Sequence, residues 1–200
     1  MVRSQSAPGG EAGATVQRGA QEEARLLRRV ADGDLRAFED LYRLYHPRLT
    51  RFAANLVRRP EVVEEVVNDT LLAVWRRPDG YSGASKVSTW VFAIAYRKAL
   101  KARQKADEPM EDTQAENRES DEPGPERSLG QSQTRAALLG AMAGLSADHR
   151  AVVDLTYFHD AGYREIAEIM DCPVDTVKTR MFHARRHLKR ALAGELADWL

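Results

Sequence analysis

Residues 163–192 read YREIAEIMDCPVDTVKTRMFHARRHLKRAL. In the second half of this stretch the apolar residues are Val174, Val177, Met181, Ala184, Leu188 and Leu192. Steps of three and four predict a helix with one buried face. Pro173 suits its first turn, where a missing N–H costs nothing. Ahead of it, YREIAEIM predicts a short helix with Ile166, Ala167 and Met170 inward, and Asp171-Cys172-Pro173 forms the turn. A short helix, a tight turn and a longer helix make a helix-turn-helix. Ala167 falls where the two helices approach most closely, a place that needs a small side chain.

The polar face of the longer helix is unusual. From Thr176 to Leu192 there are six Lys or Arg and no acid, although the whole chain balances 30 basic against 30 acidic residues. A merely solvated helix mixes signs, because opposite charges four apart support each other. A helix that faces phosphates excludes carboxylates, which phosphates repel. Thr179, His183, Arg186 and Arg190 lie opposite the apolar stripe, flanked by Lys178, Phe182, Arg185 and Lys189.

Charge is segregated along the rest of the chain. Residues 25–106 carry 17 basic and 9 acidic residues, and residues 107–133 carry 2 and 9. Residues 1–21, rich in Gly, Ala, Ser and Gln, are expected to form a disordered tail. From 22 to 106 the pattern is helical. A short helix stops near Gly33, and Asp34 caps a second whose stripe is Phe38, Leu41, Tyr42, Tyr45, Leu49, Phe52, Ala53 and Leu56. Pro47 is expected to kink it. Pro60 opens a third helix with Val63, Val66, Val67, Leu71 and Val74 inward. A loop precedes a fourth, with Val87, Trp90, Val91 and Ile94 on one face. Residues 107–133 hold three prolines and two glycines and read as an acidic linker, extended by self-repulsion. A second helical unit occupies 134–200. The expected fold class is all-α: two small helical domains on a flexible acidic linker, the C-terminal one a helix-turn-helix.

Other chemistry is poorly supported. His183 and His187 stand four apart, but the neighbouring arginines would repel a metal ion. Glu61, Glu64, Glu65 and Asp69 have no Glu-x-x-His partner. No phosphate loop, catalytic triad or paired carboxylates emerge. The chain is expected to be no enzyme and to need no metal or other cofactor. The single Cys172 fits a reducing compartment. The N-terminus has no apolar signal region, and no run nears the ~18 apolar residues of a membrane span. A cytoplasmic protein without membrane insertion is expected.

The stretch GLSADHRAVVDLTYFHDAGYREIAEIMDCPVDTVKTRMFHARRHLKRAL resembles the C-terminal domain of the extracytoplasmic-function (ECF) sigma factors of bacteria. Independently, EVVEEVVNDTLLAVWRRPDGYSGASKVSTWVFAIAYRKALK resembles their N-terminal domain. The resemblance implies an alternative sigma factor that binds RNA polymerase core and directs promoter-specific transcription initiation. It implies that the N-terminal domain reads the −10 element and grips the β′ clamp through the helix matching 61–76. The C-terminal domain then reads the −35 element and touches the β flap. An anti-sigma factor is an implied partner.

Given these roles, Lys178, Thr179, Phe182 and His183 are candidates for base contacts in the major groove. Arg180, Arg185 and Arg186 are candidates for phosphate contacts. A melted −10 strand needs positive charge with aromatic platforms, which Tyr81, Lys86, Trp90, Tyr96, Arg97, Lys98 and Lys101 supply. Trp90 and Tyr96 could equally belong to the core. Glu64, Asn68 and Asp69 form the candidate polymerase-binding face. The chain departs from the family at IAYR, where IARN is frequent, at Lys101, where an acid is frequent, and at His183, where Arg is frequent. The alternative reading is a stand-alone helix-turn-helix repressor or activator, which would normally dimerise.

Overall fold

The computed structural model describes residues 9–107 and 137–192. Helices account for nearly all of them: α1 (Gly9–Ala31), α2 (Leu35–Leu56), α3 (Pro60–Arg76), α4 (Val87–Asp107), α5 (137–143), α6 (Ala147–Phe158), α7 (Tyr163–Ile169) and α8 (Val174–Leu192). A single 3₁₀ turn, Pro78–Gly80, lies between α3 and α4. No strand occurs among the described residues.

The expected tail is corrected by α1, which begins at Gly9 rather than at 22. Residues 11–23 are rich in Ala, Gln and Glu, good helix formers. The turn holding Leu26, Leu27 and Val30 is buried. Once that turn is nucleated, extending the helix toward the N-terminus is cheap. Residues 1–8 and nearly all of the acidic linker lie outside the described residues, and Asp107 closes α4.

Gly33, at φ 82, ends α1 in the left-handed region that glycine tolerates. Asp34 then caps α2 as expected. Its carboxylate accepts the backbone N–H groups of Arg36 and Ala37 at 3.0 and 3.2 Å. Arg29 donates to the same carboxyl at 2.7 Å and holds it below the usual carboxylate range. Helix α2 runs without interruption through Pro47, whose missing N–H leaves the Arg43 carbonyl without its helical donor. Pro60 opens α3, and all five expected inward residues of that helix are buried.

Helix α4 departs from the single face expected for it. Val87, Val91, Ala95 and Ala99 are buried, but so are Phe92 and Tyr96, while Trp90 and Ile94 are half-buried. The reason is tertiary: α4 packs against α2 and α3 on one side and α7 on the other. The two helical units are therefore joined over a broad contact, not only by a tether. Phe52 and Phe92 meet edge-on at 5.2 Å, and the ring of His159, from the second unit, lies 4.5 Å from Phe92.

Beside those rings sits a buried carboxylate. Asp154, only 1% exposed, accepts Arg51 Nε of the first unit at 3.0 Å and contacts His159 Nε2 at 3.0 Å. Arg51 also covers the Phe158 ring, 3.2 Å from its centroid. Arg150 donates to the Asn55 carbonyl at 2.9 Å and to the Leu145 carbonyl. Tyr96 donates to Asp148 at 3.4 Å, and Lys86 pairs with Glu165 at 2.7 Å. A buried carboxylate stripped of a partner is costly. Arg51→Ala is thus expected to lower the unfolding free energy by about 1–3 kcal/mol. The loss should shrink in the Arg51→Ala/Asp154→Asn double variant, because the stranded charge is gone. Urea denaturation of the four chains of that cycle measures the coupling.

Burial, and then the Asp148 carboxylate, push the Tyr96 hydroxyl up to about 12 from an ordinary 10.0. The folded state thus holds this proton more tightly than the unfolded chain. The resulting stability is complete below pH 10.0 and is lost as pH rises toward about 12. Thermal melting across this window should show a steeper alkaline fall for the wild type than for Tyr96→Phe. Equal slopes would mean that the phenol is not held in this contact.

Candidate nucleic-acid interface

The helix-turn-helix is built from local rules. The Glu165 carboxylate accepts the Gly162 N–H at 2.9 Å and fixes the start of α7. Ile166, Ala167 and Ile169 are buried against the core. Asp171 takes φ 47 and turns the chain, while the Cys172 N–H donates to the Ala167 carbonyl at 3.0 Å. That bond satisfies an end carbonyl of α7. Burial raises the Cys172 thiol above its ordinary range, as suits a residue filling a turn rather than a reactive one.

On α8, Val177, Met181 and Ala184 are buried, and Val174 and Leu188 are half-buried. The predicted stripe is in place, so the basic face is turned outward. Lys178, Thr179, Phe182, His183, Arg185 and Arg186 are all exposed, Phe182 to 62%. A phenyl ring that open, beside Met181 and Tyr163 in a concavity rimmed by basic residues, leaves an apolar edge among the cations. Lys178 folds back to Asp175 at 2.9 Å, and Thr179 Oγ1 donates to the Asp175 carbonyl at 2.9 Å. Arg185 Nε donates to the Tyr157 hydroxyl at 3.1 Å. Tyr157 is itself 55% exposed and extends the face onto α6. Its sequence position on α6 gave no sign of this.

Arg180 stands apart from the others. Its guanidinium donates to Asp148 at 2.7 Å and is only 24% exposed. It lies one residue before Met181, at the border of the buried stripe, and is turned toward the start of α6. Asp148 therefore holds Arg180 of α8 with one oxygen and Tyr96 of α4 with the other. This joint connects three helices, and nothing local in the sequence marks it.

The residues expected to meet a melted strand are divided. Tyr81 and Trp90 are together, with ring centroids 5.8 Å apart, and the Tyr81 hydroxyl donates to the Ser85 carbonyl at 2.6 Å. Arg97 and Lys101 are exposed one turn apart. Lys98 pairs with Asp69 of α3 at 3.1 Å, and Lys86 with Glu165. Tyr96, only 5% exposed, is no open platform in this arrangement, because α4 is covered there by the second unit. The third set is open: Glu64, Asn68 and Asp69 are exposed on α3, opposite its buried valines. Leu72, one turn beyond Asn68 and 41% exposed, adds an apolar group that the charged pattern concealed.

Among the described residues no group of three metal-ligating side chains comes together. No described helix is long and apolar enough to cross a membrane.

Comparison with known proteins matches both helical units. The family described as Sigma-70 region 2 covers residues 41–108, and Sigma-70, region 4 covers residues 135–188. The RNA polymerase sigma-H factor of Pseudomonas aeruginosa is 29% identical over 189 residues, spanning 89% of this chain and 97% of that one. The ECF RNA polymerase sigma-E factor of Escherichia coli K12 is 30% identical over 170 residues, spanning 80% and 88%. Among solved structures, the sigma factor RpoE of Bartonella quintana, in complex with the anti-sigma factor NepR, aligns with a TM-score of 0.56. That match has 27% identity and covers 79% of this chain and 98% of that one. With region 2 on the first helical unit, region 4 on the second, and relatives aligned across both, the chain belongs to the extracytoplasmic-function RNA polymerase sigma factors, which direct promoter-specific transcription initiation.

Proposed function

We propose that this sigma factor reads the −35 element as duplex through α8, reads the melted −10 element through α4 and the loop before it, and holds polymerase core through α3. The observation that carries this reading is the exposed face of α8, which holds no acid beyond Asp175 in its first turn and sets cations, a threonine and an open phenyl ring on one side. Cations reach guanine acceptors in a major groove, and an apolar edge meets the thymine methyl. Contact of the second unit with the β flap, and of α3 with the β′ clamp, follows from the family resemblance. The protein works by recognition rather than catalysis, in the cytoplasm where the polymerase is.

The two DNA faces differ in readiness. The α8 face is open. On α4, Tyr96 is buried and Lys86 is engaged by Glu165, so reading a melted strand there requires the two units to separate. An anti-sigma partner, such as the one bound to the Bartonella relative, would act by holding them together.

Two variants of α8 should fail differently. Arg186→Ala is expected to weaken all promoters about equally and to reduce the salt dependence of binding, because it removes a phosphate contact. Lys178→Ala should relax the preference at one or two −35 positions, at a cost of about 1–3 kcal/mol for a good base contact. Selection from randomised −35 sequences by holoenzyme measures both. A wild-type preference from Lys178→Ala would mean that α8 is not the reader.

On α3, Asp69→Lys should weaken association with core polymerase while leaving the fold intact. The exposed Lys98 pair that it also breaks contributes at most ~1 kcal/mol. Titration of core with labelled sigma factor checks this. Affinity equal to wild type would remove α3 from the interface.

A further inference from the structure

The two helical units enclose a cleft of about 390 Å³. The first unit lines it with Val57, Arg58, Arg59 and Arg103, and the second with Ser146 and Arg150. Four guanidinium groups thus converge on one concavity. Among the described residues only Arg59 of the four reaches a carboxylate, exposed Glu61 at 3.7 Å. Arg150 spends its donors on carbonyls, that of Asn55 across the seam and that of Leu145 in its own unit. Burial, and then the charges of Arg58 and Arg103, work against its proton. Like charges gathered around a concavity repel, and an anion relieves them.

The nearest source of negative charge is the chain itself. Helix α4 ends at Asp107, one turn beyond Arg103, and the chain returns at residue 137 to form α5, which leads directly into Leu145 and Ser146 of the cleft. One end of the intervening stretch thus leaves from a helix that lines the cleft, and the other returns through one short helix to it. Residues 107–133 carry 9 acids and 2 bases. At up to ~3.3 Å per residue the stretch has ample length to lie across it. Tethering at both ends places its carboxylates there at an effective concentration of order millimolar.

We propose that this cleft is an intramolecular docking site for the acidic segment of the same chain, whose carboxylates pair with Arg58, Arg59 and Arg103 across the seam between the two units. Occupancy favours the packed arrangement, because the cleft is whole only while the units are together. A partner that draws the segment away releases that hold.

The test uses the full chain and a variant in which the four acids nearest α4 (Glu108, Glu111, Asp112 and Glu116) are replaced by their amides. Side-chain Nε–Hε signals of Arg58 and Arg103 are followed by NMR at low and high salt. The wild type should show a salt-dependent displacement that the amide variant lacks, since pairing between exposed charges is screened. Arg58→Gln/Arg103→Gln, which leaves the seam contacts of Arg150 in place, should speed cleavage by a Glu-specific protease within 107–133. Added salt should give that variant no further acceleration. Identical arginine signals in the two chains at both salt concentrations, or cleavage unaffected by the arginine changes, would overturn the proposal. Inorganic phosphate is the remaining arm. If it displaces the Arg58 and Arg103 signals equally in both chains, the cleft is an open phosphate site and the segment is not its occupant.

Discussion

A helix that is apolar over most of its circumference cannot face water on either side. Helix α4 is such a helix over residues 87–96, with Val91 and Ala95 buried, Phe92 between Phe52 of the first unit and His159 of the second, and Tyr96 bonded to Asp148 of the second. The first unit alone cannot cover it, so α7 supplies the other wall. Everything else at the seam follows from that demand. The Asp154 carboxylate, buried beside Phe52 and Phe92, is tolerated because Arg51 and His159 reach it. Removing charge from water is costly, and only good partners offset it.

This packing has a direct functional consequence for a sigma factor. The surface that would accept a single strand and the surface that covers α4 are in part the same, so they cannot be used together. The α8 face and the α3 face point elsewhere and stay open. On the proposed reading, duplex and polymerase recognition are thus compatible with the packed form, while strand capture on α4 is not. The energetic link between the halves is mostly polar at its rim, through Lys86, Asp148 and Arg150, and apolar at its centre. Such an interface resists solvent but can part when a larger partner offers replacements for the rim contacts.

The candidate site was legible to different degrees, for identifiable reasons. Lys178, Thr179, Phe182, His183, Arg185 and Arg186 were readable because helical periodicity alone decides which side of α8 is buried. Glu64, Asn68 and Asp69 were readable for the same reason on α3. The Arg180 contact was not readable, since its position at the stripe's border lets it turn either way, and Asp148, 32 residues earlier in the chain, holds it. Tyr96 was ambiguous because an aromatic residue among lysines suits both a core and a stacking platform. Leu72 and Tyr157 went unnoticed, since a leucine or tyrosine carries no charge signature and only its solvent exposure sets it apart.

What the sequence by itself determined is local. The Asp34 cap, the glycine at 33, the proline at 60, the stripe of α8 and the small residue at 167 follow from hydrogen bonding, backbone sterics and periodicity within a few turns, and each stands where those rules put it. Only the tertiary structure decided that α1 reaches back to Gly9, that α4 is buried on two sides, and that the arginines at 58, 59, 103 and 150 share one cleft. Contacts between residues far apart in the chain arise from how whole helices satisfy their faces together. Periodicity in one segment carries no record of which distant segment will cover it.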